Sequence, residues 1–111
     1  MKEFFFSVVI IFFTSHVSAQ KIFSVEYASQ ADVKVFVTDY ESRADLVVFK
    51  VEYESHSGKN NGHWFFVDYA SRASKKIFFV DYPSQSDVVI FFAEYASRAG
   101  WKHKEKMHLF Y

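Results

Sequence analysis

Residues 37–49, VTDYESRADLVVF, and residues 79–91, FVDYPSQSDVVIF, are two copies of one thirteen-residue unit, and their reading decides the fold. Tyrosines stand at 27, 40, 53, 69, 82, 95 and 111, so their spacings run 13, 13, 16, 13, 13 and 16. Around the first six, a Phe lies four positions earlier (Phe23, Phe36, Phe49, Phe65, Phe78, Phe91) and an acid one position earlier. A Ser follows two positions after each. Internal repetition of this kind marks a repeated supersecondary unit. Tyr27, Tyr40 and Tyr53 recur 42 residues later as Tyr69, Tyr82 and Tyr95, and Tyr111 opens a third block.

Within each unit the apolar period is two, and Val, Ile, Phe and Tyr are enriched, which reads as strand. Seven strands are expected near 21–27, 34–40, 47–53, 64–69, 76–82, 89–95 and 107–111. The polar Ala/Ser/Asp segments between them read as turns. In each unit Phe, a central residue and Tyr share a side, from Phe23, Val25 and Tyr27 to Phe91, Ala93 and Tyr95, with Thr38 the only polar entry at the centre, and that side is the expected core. The other side differs between the halves. Ser24, Val37 and Lys50 stand where the second half has Phe66, Phe79 and Phe92, flanked by Trp64, Ile77 and Ile90. This apolar set calls for a second buried layer, supplied by Ile22, Val35, Val37 and Val48, or for self-association or a protein partner.

Parallel stacking of consecutive units would set Glu26, Asp39 and Glu52 side by side and crowd aromatics into a narrow bore. The expectation is therefore an all-β domain of about seven short strands in an antiparallel meander, closed as a small barrel or split into a two-sheet sandwich. A parallel solenoid is the alternative.

The 111 residues carry 13 Lys+Arg against 13 Asp+Glu and no Cys. A neutral chain has no electrostatic footprint for nucleic acid, and a disulfide framework or thiolate metal site is excluded. Phe4 to Phe13 is an apolar run of signal-peptide length, and Val17-Ser18-Ala19 supplies small residues before Gln20. A spanning helix needs about 20 apolar residues, so residues 1–19 read as a cleaved secretion signal. The mature domain, 20–111, is then secreted or periplasmic, with no stable membrane insertion.

The units VTDYESRADLVVF and FVDYPSQSDVVIFF, with the closing AGWKHKEKMHLFY, resemble a family of small exported bacterial proteins built from tandem V-x-[DE]-Y-x-S-[QR]-A-D repeats. The resemblance covers residues 21–111 and implies a secreted repeat domain, while transferring no site residue. Departures are Gly58, Ser74 and Gly100 in place of Asp, and His56 in place of Gln or Arg.

No nucleophile–base set, phosphate loop or HExxH motif is present. The chain reads as an exported structural or protein-interaction domain without catalytic activity and without a cofactor. Alternatives are a small-ligand or carbohydrate-binding module and a metal-binding protein. Trp101, His103, His56 and His63 fall outside the strand pattern and are the binding candidates; the four histidines His56, His63, His103 and His108 offer a metal site only if the fold gathers them. Asp32, Asp45 and Asp87 occupy similar turns and raise the same question for calcium. The tyrosines read as a structural ladder at the domain rim.

Overall fold

The computed structural model describes residues 20–111, so the segment read as a secretion signal lies outside the described residues. Each thirteen-residue unit folds as a short strand followed by a one-turn 3-10 helix that begins just after the Tyr, as at Glu41–Arg43 after Tyr40. Main-chain bonds close each turn, such as Arg43 N–H to the Tyr40 carbonyl at 3.0 Å. The strands are β1 (Lys21–Ser24), β2 (Val33–Val37), β3 (Leu46–Lys50), β4 (His63–Phe66), β5 (Lys75–Phe79) and β6 (Val88–Phe92). They begin within a residue of the expected starts and end about three residues earlier, because the acid–Tyr pair belongs to the turn.

The pairing corrects the expected antiparallel meander. Around the ring the order is β1-β5-β2-β6-β3-β4, β4 closes onto β1, and all six pairings are parallel. The chain makes two laps. Strands β1, β2 and β3 form the first, β4, β5 and β6 the second, and every strand has neighbours only from the other lap. Consecutive strands therefore never compete for one edge, except at the β3–β4 handover.

Parallel neighbours usually need a long crossover, yet here about eight residues suffice. The registers show why. Val37, which ends β2, and Leu46, which starts β3, both pair with Ile90 of the intervening β6. Ser24 and Val33 both pair with Ile77 in the same way. Each connection only hops over one strand and continues; no return along the barrel is needed.

Relative to the repeat, every pairing is offset by two residues: Ile22 sits opposite Lys75 rather than its counterpart Ile77, and Ile77 opposite Val33 rather than Val35. Six such steps amount to a shear of twelve, large for six strands, which tilts them steeply and widens the bore. The stagger also places the repeated acids diagonally instead of side by side. Both objections to parallel packing are removed by the same offset.

The core lies on the face opposite to the expected one. Ile22, Val33, Val35, Leu46, Val48, Trp64, Ile77, Val88 and Ile90 fill the bore, each at most 1% exposed. Phe66, Phe79 and Phe92 pack against them, so the set Trp64, Phe66, Ile77, Phe79, Ile90 and Phe92 lines the interior together with its first-lap complement. Because the laps alternate, Ser24, Val37 and Lys50 fall between Phe66, Phe79 and Phe92 at the far end of the barrel. Large and small side chains share a circumference that six Phe would overfill. The Lys50 ammonium lies 5.2 Å from the Phe66 ring centre and 5.6 Å from that of Phe92. It caps that end with a cation over aromatic faces.

The seventh strand, expected at 107–111, is instead a two-residue strand β7 (Gly100–Trp101), antiparallel to the start of β3 and outside the ring. Residues Lys104–Phe110 form a 3-10 helix, in which Met107 and Phe110, three apart, turn the same way. In the 58–63 link, Gly62 has φ +91°, and a Cβ there would run into the Val47 carbonyl, so this approach requires glycine. Among the described residues no helix is long and apolar enough to cross a membrane.

Candidate functional site

The repeated Asp of the turn is a strand clamp. Asp32 Oδ2 accepts the Lys76 N–H at 2.9 Å, Asp45 Oδ2 the Val89 N–H at 2.8 Å, and Asp87 Oδ2 the Lys34 N–H at 2.8 Å. In each case the Asp N–H donates back to the carbonyl of the same residue. Ser74 repeats the arrangement with its hydroxyl on Lys21 N–H at 3.0 Å. The carboxylates of Asp32, Asp45 and Asp87 are thus spread around the barrel pinning register, and they do not converge. Among the described residues no cluster of three His, Cys, Asp or Glu side chains is placed to hold a metal ion.

With the bore filled by aliphatic residues, Phe23, Phe36, Phe49, Phe65, Phe78 and Phe91 point outward and form a half-buried belt. Tyr27, Tyr40, Tyr53, Tyr69, Tyr82 and Tyr95 stand beside it, 61–67% exposed, and Tyr111 is 76% exposed. In two units the residue three after the Tyr packs back on its ring, whereas Arg72 and Arg98 at the same position pair with Glu54 and Glu41. The Arg43 guanidinium is 5.2 Å from the Tyr40 ring centre, and His56 meets Tyr53 edge-on at 5.5 Å.

Three grooves open on this outer face at equivalent repeat positions. One, of about 410 Å³, has Phe49, Tyr53, His56 and His63 among its walls, closed on one side by Ala96. Another, of about 360 Å³, uses Phe36, Tyr40, Arg43 and Pro83. The third, of about 350 Å³, is formed by Phe78, Gln85, Lys34 and Ala28. In each, a strand end and its own turn make two walls, and the turn of a neighbouring other-lap strand makes a third. The grooves share an aromatic floor and differ in polar rim: imidazoles, a guanidinium, or an ammonium with an amide.

The four binding candidates divide. His56 and His63 come together in the first of these grooves, where His63 stacks edge-on to Phe49 at 6.2 Å and its Nδ1 lies 3.1 Å from Asn61 Oδ1. Trp101 and His103 lie outside that groove, beside the start of β3. Trp101 Nε1–H is shared between the Asn60 carbonyl, 3.1 Å, and Asn60 Oδ1, 3.0 Å. His103 Nδ1 lies 2.7 Å from Asp45 Oδ1, and Lys106 Nζ 3.2 Å from Asp45 Oδ2. Burial pushes the Asp45 carboxyl up, but the Val89 N–H, His103 and Lys106 together outweigh it and hold its pKa below 3.8. Nothing in the one-dimensional pattern marks the grooves, because each is walled by residues about 40 or more positions apart.

Residues 19–102 match the family model of the 7(1) septoil knot domain. No curated protein and no solved structure matches the chain. A knot of this kind needs a path that travels twice around one ring, and the interleaved laps follow such a path. On a match spanning most of its length, the chain belongs to the septoil knot domain family.

Proposed function

We propose that this is an exported, non-catalytic interaction domain whose contact surface is the outer belt of Phe and Tyr. The observation that carries the reading is the six tyrosines at one repeat position, each 61–67% exposed. The core does not need them, since the bore is filled without them. Tyrosine combines a large apolar area with a polar tip at low conformational cost, which is why it is concentrated at contact surfaces. The spread of the belt around a closed ring suits a partner that engages several positions at once. Export is supported by the apolar run at 4–13 followed by Val17-Ser18-Ala19.

A photo-crosslinking amino acid at Tyr53 or Tyr95, introduced in the native host, tests this. A discrete protein adduct from both positions, and none from the off-belt, exposed Lys59, is the expected result. Absence of any belt-specific adduct defeats it.

The recurrence of three similar grooves supports a second reading, a small-ligand or carbohydrate-binding module in which a sugar ring lies on the aromatic floor. Under that reading the chain is retained on a polysaccharide column and Tyr53→Ala elutes earlier, with no protein adduct formed.

A further inference from the structure

The barrel mouth where the strands begin is closed by the chain's last residues, not by the ring. The helix Lys104–Phe110 lays Phe110 into that mouth, where it is 3% exposed. Its ring centre is 5.4 Å from that of Trp64 and 5.9 Å from that of Trp101. These residues follow position 102, where the family match ends. Asn60 Nδ2 donates to the Met107 carbonyl at 2.8 Å, and Gln20 Nε2 to the Phe110 carbonyl at 3.4 Å.

The fit is incomplete at one atom. Gln20 is 1% exposed, and its Oε1 has no hydrogen-bond partner among the described residues. Reversing the amide does not help, since it would set Oε1 against the Phe110 carbonyl oxygen. A buried acceptor left without a donor is costly. The tail thus satisfies the apolar part of an enclosure and leaves its polar group unsatisfied.

We propose that this mouth is a binding site for a small aromatic molecule carrying an N–H or O–H donor, occupied in cis by Phe110. The aromatic ring takes the place between Trp64 and Trp101, and the donor bonds to Gln20 Oε1. The tail can leave while the ring of strands stays closed, because it contributes no strand to the six-membered ring and is tethered mainly through Asp45, Asn60 and Gln20.

Phenol and toluene, nearly the same shape but with and without a donor, separate this from simple cavity filling. On the full chain carrying Phe110→Ala, saturable quenching of tryptophan fluorescence is expected with phenol at least tenfold tighter than toluene, despite toluene being the more hydrophobic. Adding Gln20→Met removes the preference. Equal binding, tighter toluene, or no saturable binding by the folded variant overturns the proposal. Should Phe110→Ala not fold, the unmutated chain serves: excess phenol, unlike toluene, should abolish amide protection at Lys106 and Tyr111 while the strands keep theirs. Unchanged protection at those two amides overturns it equally.

Discussion

The inner and outer faces of the same six strands follow opposite rules. Outside, Phe and Tyr repeat without exception; inside, equivalent positions hold Ile22, Val35, Val48, Trp64, Ile77 and Ile90, and the last layer alternates Ser24, Val37 and Lys50 with three Phe. Regularity in a repeat reports that environments are equivalent, not that they are buried. Six outward positions on a ring are equivalent, and one residue type suits them all. Inward positions converge on a common space that has to be divided, so their side chains must differ.

Trp64→Ala gives the most severe break of this contrast. Trp64 is 1% exposed against Phe110, and its loss should cost about 3–5 kcal/mol in denaturant unfolding. Phe78→Ala, on the half-buried belt, should cost only about 1 kcal/mol. Equal costs would show that the two faces are not energetically distinct. Val37→Phe probes the division of space from the other direction: a fourth Phe in the layer should overpack it, destabilising by about 1–3 kcal/mol.

Asp45 and Asp32 sharpen the comparison within one repeat position. Both clamp a neighbouring N–H, but only Asp45 also holds His103 and Lys106. Asp45→Asn should cost about 1.5–3 kcal/mol and Asp32→Asn about 1 kcal/mol by thermal melting. Because the folded pKa of Asp45 lies below its ordinary value, its contribution is complete above about pH 4 and fades as pH falls through the folded value. Wild type should therefore lose more stability in acid than Asp45→Asn does, and parallel acid melts for the two would contradict this. Tyr69→Ser has the smallest effect expected, within about 0.5 kcal/mol for a ring 66% exposed. A larger loss would return the tyrosines to a structural role.

Much of the architecture could be read from the residues. Phe23 to Phe91 and the 42-residue recurrence located six strands and the two blocks that prove to be laps. Two inferences failed for identifiable reasons. Sequential strands usually pair, so the Tyr-x-Ser turns looked like reversals; the registers Val37–Ile90–Leu46 make them hops. Uniform aromatic content points to the Phe–Tyr face as the core, although the wide bore takes the varied face. In the site, His56 and His63 stand outside the strand pattern and share a groove, whereas the packing of Trp101 depends on Asn60, 41 residues away, and on Phe110 in a tail whose fold the repeat does not specify.

The alternation of laps also bears on when the fold can form. Five of the six ring pairings join residues 44 or 53 positions apart, and only β3–β4 spans as few as 14. A first lap standing alone has no native strand neighbour for any of its members. Loop-closure entropy must be met before any of those pairings contributes, which gives a high contact order and slow folding. A chain synthesised only as far as the 58–63 link holds no native ladder and remains threadable; pulsed exchange on such a fragment should find no slow amides. The topology itself delays closure until the second half has arrived.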